Sequence, residues 1–124
     1  MKLVLNDGSV WTAHFHHQFL SEEQAAQKPY DVITTCRLHL GTCVHAGEND
    51  ACTRAGYLGI SRTSKKDNFC KAYGRYVALQ RLLIENKLGD KFYKELFAAY
   101  WRLSPTQALV KDIRKRYQGV AHAA

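Results

Sequence analysis

The sequence predicts an α+β fold, in which a small antiparallel β-sheet, made of an N-terminal hairpin and two or three further strands, precedes two or three C-terminal helices. Two observations support this class. Apolar residues alternate with polar ones in the first half of the chain, and from residue 67 onward they recur with the 3.6-residue period of a helix. The 124 residues suit a single domain, with the sheet in residues 1–62 and the helices in residues 67–118.

The N-terminal hairpin is indicated by an Asp7-Gly8 pair between two runs of strand-forming residues, 3–5 and 9–16. An Asp-Gly pair favours a two-residue type I′ turn, whose central residues both need a positive φ. Because side chains alternate across a strand, one face of the second run is expected to meet the core. That face carries Trp11, Ala13 and Phe15, and the other carries Val10, Thr12, His14 and His16.

Further strands and a short helix complete the expected sheet. Ser21 followed by Gln24 fits a capping box, which predicts a short helix. Residues 30–40 contain four β-branched side chains in succession and form the best candidate for a central strand. Residues 51–62 supply another strand, and the short run 43–45 can add a third.

Three helices are expected after the sheet. The first covers residues 67–88, with Asp67 as its N-cap and one face of aromatic and aliphatic side chains. Asp90 follows a glycine and can cap the second helix. Ser104 precedes a proline, which is a strong start signal for the third, and Gly119 is placed to end it.

Positive charge is concentrated in the second half of the chain. The formal net charge is +7, but residues 1–60 carry −2 and residues 61–124 carry +9, so an anionic partner is expected there. A hydrophobic content of 46% excludes disorder as the main state. No apolar run reaches the ~20 residues of a membrane helix and no signal peptide is recognisable, so a cytoplasmic location without membrane contact is expected.

The most informative segment is the junction between the last strand and the first long helix. A helix N-terminus carries unpaired N–H groups and a partial positive charge, and basic residues crowd this one. The junction is therefore predicted to bind phosphate groups, with a solvated basic helix start as the competing interpretation. The predicted ligand-binding residues are Arg62, Ser64, Lys65, Lys66, Asn68, Lys71 and Arg75, with Tyr57 as an exposed ring for base stacking.

Two features of the helices allow more than one interpretation. Lys111, Arg114 and Lys115 form a secondary basic patch on one face of the last helix, which is either solvated or docks on an acidic partner or nucleic acid. Gly74 costs the first long helix about 1 kcal/mol relative to alanine. Such a glycine indicates close approach by another helix or by a ligand.

No metal ligand, cofactor or catalytic residue is assigned from the sequence. The four cysteines form no Cys-x-x-Cys pair and are expected to be reduced core residues. Two metal alternatives stay open: a zinc site that uses Cys36, Cys43 or His39, and chelation by His14 and His16. The sequence has no recognisable catalytic triad and no His-x-x-x-His helix, so a binding protein is expected rather than an enzyme.

The start of the first long helix resembles a motif of small phage- and prophage-encoded proteins, in which a short sheet precedes a helix of the form Asp-x-Phe-x-Lys-x-x-Gly-Arg-x-x-Ala-Leu-x-Arg. The matching residues are Asp67, Phe69, Lys71, Gly74, Arg75, Ala78, Leu79 and Arg81. Among these proteins, the chain resembles the phage anti-Thoeris sponge proteins. That resemblance implies sequestration of cyclic ADP-ribose-type signals without cleavage, with Lys71 and Arg75 as the basic positions of the motif.

The expected function is therefore that of a phage-encoded, non-enzymatic anti-defence protein, which binds a phosphate-rich cyclic nucleotide signal in the host cytoplasm. A homo-oligomer is expected, because a small sheet with free edges commonly pairs. The alternative is an anti-CRISPR-type inhibitor, whose basic helices dock on a Cas effector or on its nucleic acid. Steeply salt-dependent DNA binding would favour that alternative.

Overall fold

The computed structural model describes residues 1–43, 52, 55–65 and 67–123, with side chains up to Arg116. The elements in chain order are β1 (Lys2–Val4), β2 (Val10–Phe19), α1 (Glu22–Ala26), β3 (Tyr30–Leu40), β4 (Tyr57–Ser64), α2 (Lys71–Glu85), α3 (Asp90–Leu103) and α4 (Gln107–Ala123). This order confirms the α+β class. None of the helices described here combines the length and the apolar character that crossing a bilayer requires.

The four strands form one antiparallel sheet in the order β1-β2-β3-β4, so each strand pairs with the next one in the chain. The central strand has the bounds that its β-branched run predicts. The strand expected over residues 51–62 is β4, which begins later and extends to Ser64. Of the short run 43–45, residues 44 and 45 lie outside the described part of the chain.

The turn between β1 and β2 is not the predicted two-residue type I′ turn. Val4 pairs with Val10, so five residues connect the strands. Gly8 has a φ of 85°, whereas Asp7 does not adopt a positive φ. The Asp7 carboxylate instead accepts hydrogen bonds from the backbone N–H of Ser9 at 2.9 Å and from its hydroxyl at 2.6 Å. A longer turn with one glycine at positive φ reverses the chain between β1 and β2 as the shorter turn would have done.

The helix starts agree with the predicted caps only in part: α3 has Gly89 rather than Asp90 as its N-cap, and α4 begins at Gln107, three residues after Ser104. Ser21 and Gln24 form the predicted capping box of α1. α2, in contrast, begins at Lys71 rather than Asp67, because β4 pairs as far as Ser64 and the chain must then turn back over the sheet. α4 continues beyond Gly119, since a single glycine costs a helix only about 1 kcal/mol.

The core lies between one face of the sheet and the helices. Trp11, Ala13 and Phe15 point into it from β2, as predicted. α2 contributes the largest share of the buried aliphatic side chains, and α3 adds a buried aromatic group around Tyr100. The fully buried side chains at the centre include Leu3, Cys36, Leu38, Leu79, Leu82, Leu96 and Tyr100.

Two glycines allow the backbone of α2 to approach the sheet closely. A Cβ added at Gly59 of β4 would collide with the carbonyl oxygen of Ala78 and would lie 2.6 Å from Cβ of Leu82. A Cβ added at Gly74 of α2 would lie 2.7 Å from the hydroxyl oxygen of Thr34. From the sequence, Gly74 could allow close approach by another helix or by a ligand. In the structure it allows close approach by strand β3.

The outer edge of β4 is partly covered by side chains of α2. Arg81 donates from Nη1 to the carbonyl oxygen of Ile60 at 3.2 Å. Asn86 donates from Nδ2 to the carbonyl oxygen of Leu58 at 3.3 Å. Bonded carbonyl groups are less available to a strand from another chain. Pairing through this edge, which the sequence argument for an oligomer relied on, is therefore hindered at these two positions.

Replacing Gly59 with alanine should destabilise the fold by about 3 kcal/mol, because backbone atoms of α2 cannot yield to the added methyl group. Urea unfolding monitored by circular dichroism measures the change. Gly8→Ala is the matched control: its added Cβ meets open space, so only the cost of the positive φ, about 1 kcal/mol, remains. Equal stability losses in the two variants would contradict the close packing of α2.

Candidate functional site

A cleft of about 590 Å³ opens between β4, the turn that follows it, α2 and α4. Two stripes of side chains form its walls. The stripe on α2 contains Tyr73, Val77 and Arg81, and the stripe on α4 contains Leu109, Ile113 and Arg116. Residues three or four positions apart share one face of a helix, so each stripe is a continuous line that is apolar at first and ends in an arginine.

The remaining wall is polar and belongs to the strand–helix junction. It is lined by two residues of β4, two of the following turn and two that precede α2: Ser61, Thr63, Asp67, Asn68, Phe69 and Cys70. The N-cap residue Cys70 makes no side-chain hydrogen bond to the first turn of α2, and that turn contains no acidic residue. The N-terminus of a helix presents N–H groups and a partial positive charge, so this end of the cleft favours an anion.

Partners on the protein orient the two cleft arginines. Arg81 donates to the backbone of β4 through Nη1, as described above. Arg116 forms an ion pair with Asp112 at 2.7 Å, one turn earlier on α4, and both side chains are mostly exposed. An exposed pair of this kind contributes at most about 1 kcal/mol. Exchanging it for contacts with a ligand phosphate therefore has a low energetic cost.

Arg62 borders the cleft, but its charged group lies elsewhere. Its neighbours Ser61 and Thr63 face α2, so alternation along β4 points Arg62 to the other face of the sheet. There its guanidinium carbon lies 5.4 Å from the centre of the Tyr30 ring, in a cation–π arrangement. Of the sequence-predicted residues, Asn68 lines the cleft, and Arg62 contributes mainly at its rim.

Other predicted residues of the junction are directed away from the cleft. Lys65 donates from Nζ to the carbonyl oxygen of Ala25 at the end of α1. Ser64 pairs with Tyr30 at the end of the sheet. Lys66 lies outside the described residues. The cluster of positive charge that is continuous in the sequence is therefore distributed over several surfaces of the fold.

Lys71 and Arg75 lie on the side of α2 opposite the cleft stripe, close to His17 of β2. Their positive charges add to the effect of burial and lower the pKa of His17 to about 4. Nδ1 of this histidine is 2.8 Å from the hydroxyl oxygen of Thr34. Arg75 also lies beside the buried phenol of Tyr100, where its charge opposes the burial that raises the pKa of that group.

The last predicted positions also do not line the cleft. Tyr57 lies at the other end of β4, with its ring centre 6.5 Å from that of Trp11. On α4, Lys111, Arg114 and Lys115 fall outside the stripe that faces the cleft. Arg114 donates to the hydroxyl of Tyr76 at 3.2 Å. The secondary basic patch is therefore a separate surface.

Tyr73, Arg81 and Arg116 are site residues that the distribution of charge along the sequence does not indicate. A signal for them exists in the sequence, because each arginine ends an apolar stripe at helical spacing. Which stripes face each other depends on the packing of α4 on α2, however, and periodicity alone does not give that. No protein-family model, curated protein or solved structure matches the chain, so the site rests on its own geometry.

The low pKa of His17 predicts a stability that decreases as the solution is acidified. In the folded protein His17 stays neutral down to about pH 4, whereas in the unfolded chain it takes up a proton near pH 6.5. Stability is therefore full above pH 6.5 and declines toward pH 4, by about 1–2 kcal/mol after allowance for solvent screening.

Urea unfolding between pH 7.5 and pH 4 measures this slope. His17→Asn should flatten it while leaving a residual slope from His14, whose pKa burial also lowers. An NMR titration that places the His17 transition near pH 6.5 would contradict the prediction.

Proposed function

We propose that this protein binds a phosphate-bearing nucleotide in the cleft between β4, α2 and α4 and holds it without turnover. The observation that carries the proposal is the joint lining of one cleft by Arg81 and Arg116, which come from different helices and end two apolar stripes. Guanidinium groups recognise phosphate by paired hydrogen bonds.

The chemistry of the walls matches the parts of a nucleotide. The arginines and the uncapped first turn of α2 suit the phosphates. Tyr73 and Phe69 offer aromatic surface to a base. Asn68, Ser61 and Thr63 add hydrogen-bonding groups suited to ribose hydroxyls or base edges. A volume near 590 Å³ lies within the usual range for sites of small molecules, which favours a nucleotide over a polymer.

The lining residues favour retention over catalysis. Among those the structure describes, Asp67 is the sole carboxylate and no histidine is present. Hydrolysis of a phosphoester is usually aided by a positioned base or a bound metal ion. The resemblance of residues 67–81 to the sponge proteins makes cyclic ADP-ribose-type signals the first ligands to test. An anti-defence role in the host cytoplasm is part of the same proposal.

Nucleotide binding should raise the melting temperature, and Arg116→Gln should weaken the affinity at least tenfold, because a charge-assisted hydrogen bond to phosphate is lost. Isothermal titration calorimetry with cyclic ADP-ribose, cyclic dinucleotides, ATP and inorganic phosphate measures this. Lys115→Gln is the matched control, since it removes the same charge from the next position of α4, outside the cleft stripe. Its affinity should stay within twofold of wild type.

Chromatography of the ligand released by heat tests whether it is held intact. A ligand recovered as a cleavage product would contradict retention without turnover. If none of the nucleotides shifts the melting temperature at millimolar concentration, the proposed function fails. Salt-dependent DNA binding that Lys115→Gln weakens and Arg116→Gln does not would instead support the docking alternative through the secondary basic patch.

A further inference from the structure

A second cluster of reactive side chains lies on the sheet face that points away from α2. It combines His14 of β2, His39 of β3, and Cys43 and Cys52 from the connection between β3 and β4. One donor atom from each residue, a ring nitrogen or a sulfur, lies within 4.8 Å of every other. This cluster shares no residue with the nucleotide cleft.

The sheet register brings the two histidines together. His14 pairs with Arg37 and Thr12 pairs with His39, so the histidines are diagonal neighbours on the same face. Their Nε2 atoms are 3.0 Å apart, and their rings are stacked with centres 5.1 Å apart. Two ring nitrogens are thus directed at one point above the sheet.

The environment of His39 fixes which of its nitrogens carries the proton. Its Nδ1 is 3.0 Å from the carbonyl oxygen of Leu40. A carbonyl group only accepts, so Nδ1 carries a hydrogen, and Nε2 is the ring nitrogen that is left to offer a lone pair to a metal ion. Metal-binding histidines commonly make this hydrogen bond to a backbone carbonyl, which orients the ring.

Cys52 is held against the sheet beside these nitrogens. Its sulfur is 3.6 Å from Nε2 of His39, and its carbonyl oxygen accepts a hydrogen bond from Nη2 of Arg37. The side chains of His39 and Cys52 are 2% and 3% exposed, so this part of the cluster is shielded from water. Cys43 completes the set and is half-buried.

We propose that His14, His39, Cys43 and Cys52 bind one zinc ion in a tetrahedral site. Zinc–sulfur bonds of ~2.3 Å and zinc–nitrogen bonds of ~2.0–2.1 Å place neighbouring ligand atoms about 3.3–3.8 Å apart. The distances of 3.0 and 3.6 Å between atoms of the cluster are close to that range. Small side-chain movements bring all four atoms to bonding distance.

The donor set selects zinc over other common cations. Two thiolates balance the charge of a divalent ion, and the absence of carboxylates from this set disfavours Mg²⁺ and Ca²⁺. Four protein ligands leave no open position for a substrate, which is typical of a structural site. The ion would fasten Cys43 and Cys52 to the sheet face that points away from α2.

The site takes His39 and Cys43 from the first metal alternative that the sequence leaves open and His14 from the second, and it adds Cys52. Their other members are excluded by position. His16 pairs with Thr35, two residues further along β2. Cys36 is fully buried on the core side, where burial raises the pKa of its thiol and disfavours the thiolate that binds metal.

Metal analysis of the full chain, purified under reducing conditions and supplied with ZnCl₂, should give one zinc per chain. The Co²⁺-substituted protein should have the visible bands of a tetrahedral ion and a thiolate-to-cobalt charge-transfer band. Cys43→Ser, Cys52→Ser and His14→Gln should each weaken zinc binding about 100-fold or more. Removing zinc with a chelator should lower the melting temperature by roughly 10 °C.

The chain offers a matched control for each type of ligand. Cys70→Ser changes a cysteine of similar burial outside the cluster, and His16→Gln changes a histidine on the same strand face. Both should keep zinc at wild-type affinity. Wild-type protein that binds no zinc, an octahedral cobalt spectrum, controls as defective as the ligand variants, or a Cys43–Cys52 disulfide that persists under reducing conditions would overturn the proposal.

Discussion

The near-contact of α2 with the sheet is the constraint on which the rest of the structure depends. Gly59 and Gly74 remove the two side chains that would hold the helix and strands apart. The helix can then bury Leu79 and Leu82 completely against β3 and β4. Burial of two leucines stabilises a fold by roughly 3–6 kcal/mol, which outweighs the helix propensity that Gly74 costs. The same contact fixes the rotation of α2 and therefore which of its residues face the cleft.

Strand alternation and helix rotation together divide the chemistry of the protein between separate surfaces. The sheet face toward α2 carries apolar residues, with Ser61 and Thr63 at the cleft. The other face carries His14 and His16 of β2 and His39 of β3, whereas His17 lies on the α2 side. Since the sheet stands between the two surfaces, the proposed ligand in the cleft would not touch the proposed metal ion at the cluster. Each site can therefore be altered by substitution without removing a contact from the other.

Local signals predicted the fold better than the site. The bounds of β3 follow from a run of β-branched residues, and the capping box of α1 involves only Ser21 and its near neighbours. A cluster of basic residues in the sequence does not indicate which way each side chain points in the fold. Alternation turns Arg62 to the other face of the sheet, while helical rotation takes Lys71 away from the cleft. Arg81 and Arg116 line the same cleft only because α4 folds back, which no local pattern encodes.

The connection between β3 and β4 has few apolar side chains whose burial could offset the entropy cost of ordering it, and a bound metal ion would add the missing stabilisation. It spans 16 residues, longer than most strand connections, and Val44 is its sole large apolar residue. Yet Thr12 and His39, on the sheet face that points away from α2, are only 1% and 2% exposed. Ordering chain costs about 1–2 kcal/mol per residue, which so few apolar groups cannot offset. Structural zinc contributes ~10–16 kcal/mol in small domains, which would offset the cost of ordering Cys43 and Cys52 beside His14 and His39.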